Sequence, residues 1–135
     1  TRGIRIRTAH TSRRSDFSEV LEITIDSEGG RVTVVGAMLG EGHPRIVGID
    51  DFSVDVIPEG SLVVLVNRDV PGVIGRVGTL LGEHELNIAE YHQSRRDAEG
   101  DALAVISIDG SVDPAVIESL KAMPELVGVW VADLG

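Results

Sequence analysis

The residue types that could bind a ligand are concentrated in residues 67–75, which read NRDVPGVIG. An apolar strand is predicted to end here, a short polar turn follows, and a helix is predicted to begin with Pro71 and Gly72. The first N–H groups of a helix have no partner inside it, so with the helix dipole they favour an anion such as a carboxylate. Gly72 has no side chain to block a ligand, and Asp69 could accept an ammonium group. Together these groups are complementary to a free amino acid.

The same residues also have a purely structural interpretation. Asp69 could cap the helix, which is worth about 1 kcal/mol of stability. Gly72, Gly75 and Gly78 are spaced by three residues and could serve only to let the helix lie close to a sheet. Spacing alone leaves both interpretations open.

No pattern in the sequence predicts a catalytic centre or a metal site. The chain has no cysteine, no G-x-G-x-x-G fingerprint and no pair of histidines at metal-ligand spacing, since its histidines are His10, His43, His84 and His92. No serine or threonine is accompanied by a recognisable base. We therefore predict no catalytic residue, no metal site and no cofactor bound by this chain.

The arginines are the second group that could bind a ligand. Several of them crowd the N-terminus of an otherwise acidic chain, and Arg45, Arg95 and Arg96 follow further on; the N-terminal ones are Arg2, Arg5, Arg7, Arg13 and Arg14. They could be hydrated surface charges. Alternatively, Arg45, Arg95 and Arg96 could form a small phosphate or carboxylate site between the two halves, because guanidinium groups bind such anions bidentately.

Composition limits the classes of partner. The 135 residues carry a formal net charge of −10, which argues against a nucleic-acid partner because phosphate backbones are repelled. No apolar run approaches the ~20 residues of a membrane span, so no membrane partner is expected. The strand-like alternation that starts at Arg2 suggests a chain cut from a longer protein.

The first half reads as a strand-rich domain, residues 1–60. Residues 3–7, which read GIRIR, alternate between polar and apolar and predict a strand, and the polar residues 8–16 predict a loop. Four further strands are expected from β-branched runs separated by turn residues: 20–26, 31–39, 45–49 and 52–57.

The second half, residues 61–135, changes from strands alone to alternating strands and helices. We predict strands at 62–66, 87–94, 103–108 and 126–131, with helices from about Pro71 to Glu85 and from Asp113–Pro114 to Met123. Asp97 to Gly100 reads as a hairpin turn. A βαββαβ order with both helices on one face of an antiparallel sheet is ferredoxin-like, an α+β fold.

These residues resemble a known family. The stretch NRDVPGVIGRVGTLLGEHELNIAEYHQSRR, followed by EGDALAVISIDG, is similar to the ACT domain at the C-terminal regulatory end of the D-3-phosphoglycerate dehydrogenase family. The preceding GAMLGEGHPRIVGIDDFSVDVIPEG resembles that family's intervening, or allosteric substrate-binding, domain. The resemblance implies a regulatory region of a cytoplasmic, NAD-dependent oxidoreductase of serine biosynthesis, without the catalytic domain and without bound NAD.

The resemblance also implies a site. In this family L-serine binds at the interface of two ACT domains as a feedback effector. The corresponding positions here are Asn67, Asp69 and the amides of Pro71, Gly72, Val73 and Ile74, with Asn87 contributed by the partner subunit. A position that is often glycine in the family falls at Glu85, which must either avoid or tolerate a left-handed backbone.

Two alternatives remain beside this interpretation. The same pair of domains resembles the regulatory part of certain L-serine dehydratases, and an ACT-like domain could also serve only for dimerisation, with no ligand. All three expect at least a homodimer, because the exposed edges of a small sheet are usually covered or paired. L-serine or another small amino acid is the expected ligand.

Overall fold

The computed structural model describes residues 5–14, 17–27, 30–40, 42–95 and 100–134. The chain divides into two compact units, Thr1–Pro58 and Glu59–Gly135. Among the described residues the first unit contains strands and no helix, whereas the second combines strands with two helices. The predicted α+β class is confirmed.

The first unit is an antiparallel sheet of five strands, each paired with its neighbour along the chain. The strands are β1 (Arg5–Arg14), β2 (Phe17–Ser27), β3 (Gly30–Met38), β4 (Pro44–Ile49) and β5 (Phe52–Val56). A small cluster of Val20, Val35 and Ala37, with Val47 packed against it, is buried on this sheet. The four strands predicted from β-branched runs are present, with slightly different ends.

The prediction of a loop over residues 8–16 is wrong for residues 8–14, because β1 continues to Arg14 and pairs with β2 from Arg5 onward, and residues 15 and 16 lie outside the described residues. This strand lies at the edge of its sheet. Pairing uses the backbone N–H and C=O groups that every non-proline residue carries, so a polar run at an edge can still be a strand. Gly3 and Ile4, where the strand was predicted to begin, lie outside the described residues.

The second unit is a four-stranded antiparallel sheet with two helices. Its elements are β6 (Ser61–Arg68), α1 (Val73–Glu83), β7 (Asn87–Arg95), β8 (Asp101–Asp109), α2 (Pro114–Lys121) and β9 (Leu126–Asp133). The strand order is β7-β8-β6-β9, so β6 and β8 are central and the other two strands are edges. This is the predicted βαββαβ, ferredoxin-like arrangement. The predicted turn at 97–100 lies outside the described residues except for Gly100.

Both helices are held by apolar side chains that recur at helical spacing. From α1 the side chains of Val73, Val77 and Leu81 enter a buried cluster, and from α2 Val116 and Leu120 join them. The sheet contributes alternate residues of its two central strands: Val63 and Leu65, and Ala104, Ile106 and Ile108. Burial of these side chains fixes which face of each helix packs against the sheet.

The two helices begin in different ways. Asp113 caps α2 by accepting a hydrogen bond of 2.8 Å from the Ala115 N–H, and Pro114 is the first helical residue, as predicted. For α1 the prediction is wrong by two residues, because Pro71 lies in the preceding turn and Gly72 is the N-cap. The φ of Gly72 is +90°, a left-handed value that interrupts the helical backbone before Val73.

Helix α1 ends at a left-handed residue that is not glycine. Glu85 has a φ of +59°, and its N–H donates to the Gly82 carbonyl while the Leu86 N–H donates to the Leu81 carbonyl. These two bonds form a Schellman motif, in which the residue at the position of Glu85 is most often glycine. The chain therefore tolerates the left-handed turn at Glu85, at a cost in backbone strain.

We predict that Glu85→Gly raises the free energy of unfolding by about 1 kcal/mol, because glycine adopts a positive φ without the clash of a Cβ atom. Chemical denaturation of the chain and its variant measures the difference. Glu83→Gly is the matched control: it removes the same side chain two residues earlier, in helical backbone, and should lower stability by about 0.5–1 kcal/mol. Destabilisation by both variants would contradict the strain at Glu85.

Candidate functional site

A pocket of about 360 Å³ opens where β6 ends and α1 begins. Every residue that the family resemblance assigned to one subunit lines it: Asn67, Asp69, Pro71, Gly72, Val73 and Ile74. Val70 and Gly75 complete this wall, and Gln93 and Arg95 at the end of β7 form the other. Its size lies within the range usual for small-molecule sites.

Backbone hydrogen bonds hold the turn after β6 in place. The Arg68 N–H donates to the Glu125 carbonyl at 2.8 Å, next to β9, and the Asp69 N–H donates to the Gly100 carbonyl at 2.9 Å, next to β8. The turn is thus fastened on both sides of the central strand. This fixes the position from which the Asp69 side chain enters the pocket.

The Asp69 carboxylate is the most deeply buried charge of the pocket, with 8% of its side chain exposed. Its Oδ2 atom lies 3.0 Å from Nε of Arg95, which makes an ion pair. The same oxygen is fully buried and receives no hydrogen bond of acceptable geometry, so the guanidinium neutralises its charge without an aligned N–H. One buried acceptor in the pocket is therefore left open.

The start of α1 supplies donors to the same pocket. The first hydrogen bond of the helix runs from the Arg76 N–H to the Gly72 carbonyl at 3.0 Å, and no side chain of the N-cap residue caps the helix. The preceding amides of Val73, Ile74 and Gly75 consequently have no partner within the helix. Asp69 is not the N-cap residue, so the simple capping interpretation of Asp69 does not describe this helix.

The backbone conformation at the start of α1 favours glycine at position 72. A Cβ atom at this position would lie 2.9 Å from Nη1 of Arg76, and the φ of +90° disfavours any side chain. By contrast, a Cβ atom at Gly75 or Gly78 would meet no neighbouring side chain or strand of the described residues within 4 Å, so close packing of the helix does not require these two glycines. The packing explanation for the three glycines therefore fails at two of them.

Asn67 is buried in the floor of the pocket, with 4% of its surface exposed. Its Nδ2 atom donates to the Arg68 carbonyl at 2.7 Å, which fixes the orientation of the amide.

On β7, Tyr91 packs against the apolar cluster of the second unit, and burial raises the pKa of its hydroxyl above the usual value. The phenol is consequently neutral at physiological pH.

Asn87 is not brought to this pocket within one chain. It opens β7 and pairs with Asp109, whereas Arg95 at the pocket end of the same strand pairs with Ala102. The Asn87 side chain is exposed and its Nδ2 donates to Oδ2 of Asp109 at 2.7 Å. Asn87 therefore lies at the opposite end of β7 from Gln93 and Arg95.

Two of the three arginines considered as an anion site pair with an aspartate of their own unit. Arg45 pairs with Asp55 at 2.8 Å within the first unit, and Arg95 pairs with Asp69 within the second. Arg96 lies outside the described residues, as do Arg2 and the side chains of the remaining N-terminal arginines. The sequence did not identify Gln93 as a pocket residue and considered Arg95 only as an anion ligand. Every second residue of a strand lies on the same face, so Gln93 and Arg95 share a face of β7 with the half-buried Tyr91. This alternation is the sequence signal that could have identified them.

Among the described residues no group of three or more histidine, aspartate or glutamate side chains could hold a metal ion. In the same part of the chain, no helix has the length and apolar character needed to cross a membrane.

Comparison with known proteins shows what the sequence is similar to. Residues 60–125 match the ACT domain family. Over 98% of its length the chain is 31% identical to a D-3-phosphoglycerate dehydrogenase of Bacillus subtilis and 32% identical to one of Methanocaldococcus jannaschii. A similar enzyme of Archaeoglobus fulgidus is 30% identical over the same share. The chain spans about 25% of the length of each of these relatives.

Residues 60–125 therefore belong to the ACT domain family, and the chain as a whole is similar to about one quarter of a D-3-phosphoglycerate dehydrogenase.

Proposed function

We propose that this chain is the regulatory region of a D-3-phosphoglycerate dehydrogenase and that its ACT domain binds L-serine, or another small amino acid, as a feedback effector. The observation that supports it is the buried Oδ2 of Asp69, which lacks a hydrogen-bond donor and lies in the same pocket as the uncapped amides of α1. A buried acceptor without a donor is costly, so a ligand that supplies one gains free energy on binding.

The pocket offers one group for each end of an amino acid. The α-ammonium would donate to Asp69, and the α-carboxylate would accept from the amides that follow Gly72, where the helix dipole favours a negative charge. The serine hydroxyl would then lie within reach of Asn67. A ligand that carried only the ammonium or only the carboxylate would be complementary to only one of these two groups.

The relatives named above favour the dehydrogenase over the dehydratase alternative. Since they match 98% of this chain, the first unit is proposed to be the intervening, allosteric substrate-binding-like domain of residues 1–60, ahead of the ACT domain of residues 61–135. NAD-dependent oxidation would belong to the part of those relatives that this chain does not span. The anion site of Arg45, Arg95 and Arg96 is not proposed, because Arg45 and Arg95 each already pair with an aspartate.

We also propose that the complete site forms only in a dimer, with Asn87 supplied by a partner subunit. Asn87 is exposed at the start of an edge strand, far along β7 from its own pocket. Val70 and Ile74 on the wall of the pocket are 44% and 50% exposed, so apolar surface adjoins the site and would be covered by a second chain.

The first prediction from this proposal concerns Asp69. Isothermal titration of the chain with L-serine should give saturable binding, and Asp69→Asn should weaken it about 10- to 100-fold, because a hydrogen bond to a charged group is lost. Asp55→Asn is the matched control, since it also removes an aspartate that pairs with an arginine, and it should leave the affinity unchanged.

Two outcomes would contradict this assignment. Equal affinities of the Asp69 and Asp55 variants would remove Asp69 from the site. No heat with L-serine, glycine or D-serine, from a chain that still unfolds cooperatively, would leave a dimerisation domain without an amino-acid ligand.

The second prediction concerns the shared site. Light scattering should give at least a dimer, and Asn87→Ala should weaken serine binding in the same way as Asp69→Asn. The two variants, co-expressed with different tags and purified through both, should regain one wild-type site per dimer, because one Asp69 and one Asn87 remain intact on opposite chains.

Binding by the mixed dimer distinguishes a site shared between two chains from a site formed within one chain. If both residues acted within one chain, every chain of the mixed dimer would still carry a defect and no wild-type binding would return. A monomer at all concentrations would equally contradict the shared site.

A further inference from the structure

We infer that Arg95 is a built-in competitor for the ligand's ammonium group, so that the pocket selects ligands able to displace a guanidinium from Asp69. This inference rests on the proposed amino-acid site and adds the residue that determines its selectivity. It follows from the way Arg95 and Asp69 are paired in the pocket of the free chain.

The pair is asymmetric in burial. Asp69 has 8% of its side chain exposed, whereas Arg95 has 64%. The carboxylate is therefore held by the protein, and the guanidinium reaches it from solvent. Moving the arginine away returns its charge to water at small cost, while moving the aspartate would break the turn fastened to Gly100.

The pair is also incomplete. Nε of Arg95 lies 3.0 Å from Oδ2 of Asp69, yet this oxygen receives no aligned hydrogen bond. Arg95 supplies the opposite charge without satisfying the acceptor. An ammonium group carries three N–H donors that rotate freely, so it can supply both the charge and the hydrogen bond.

An ammonium at this oxygen and the guanidinium in its present position would be two cations beside one carboxylate. The two cations would repel each other, and Arg95 is the one that leaves because it is the more exposed. Ammonium binding and the Arg95–Asp69 pair are thus mutually exclusive. Arg95 lowers the affinity for every amine by the free energy of its own pairing.

The arginine has the opposite effect on an anion without an ammonium group. Such a ligand can still accept hydrogen bonds from the start of α1, but it meets the Asp69 carboxylate in the same pocket. Arg95 neutralises that carboxylate and reduces the repulsion. The same residue therefore disfavours the amino acid and favours its deaminated analogue.

The test compares L-serine with L-glycerate, which replaces the α-ammonium by a hydroxyl and keeps the configuration, by isothermal titration of the full chain. Arg95→Gln should tighten L-serine binding about fivefold and weaken L-glycerate binding by a similar factor. Arg95→Lys should restore values near those of the original chain, because it keeps the competing charge. Lys121→Gln on α2 removes one positive charge away from the pocket and should change neither affinity.

The outcomes separate this inference from the proposed function. If Arg95→Gln weakens both ligands, the arginine only supports the pocket, and the inference is wrong while the serine site stands. Unchanged affinities for a chain that binds serine have the same meaning. If serine binds to the Arg95→Gln variant but not to the original chain, Arg95 competes strongly enough to prevent binding, and the inference holds. If serine binds to neither protein, both proposals fail.

Discussion

The second unit depends on one central strand that is hydrogen-bonded on both sides along its whole length. β6 pairs with β8 from Ser61 to Arg68 and with β9 from Ser61 to Asn67. Its apolar residues anchor both helices, and its last residues lead directly into the turn of Asp69. The strand that holds the core together is therefore also the strand that positions the carboxylate, and a buried charge can be placed accurately only from such a support.

Residue periodicity accounts for most of what was predictable. Val73, Val77 and Leu81, and then Val116 and Leu120, follow the spacing of a helix with one buried face, and both helices are where that spacing placed them. The candidate-site residues Asp69 and Gly72 were also predictable, because both lie in the short segment between β6 and α1, whereas Asn67 lies in β6 and was named through the family resemblance. Local sequence carries this kind of information well.

What was not predictable depended on contacts between distant residues. The pairing of Arg95 with Asp69 requires the register of β7 on β8 and the position of α1 on the sheet, neither of which is encoded locally. The extension of β1 to Arg14 depended on a neighbouring strand that offers its backbone, not on an apolar pattern. The late start of α1 depended on the backbone of Gly72, which overrode the preference of Pro71 for a first helical turn.

The strand order also gives the pocket two walls of different stiffness. Asn67 and Asp69 belong to a central strand and its fastened turn, so they can move only if hydrogen bonds on both sides of β6 break together. Gln93 and Arg95 belong to an edge strand with a single paired neighbour, and local opening of such a strand costs far less free energy. Any change in pocket width is thus a displacement of the β7 side toward or away from a fixed reference, and amide hydrogen exchange would record it as faster exchange in β7 than in β6.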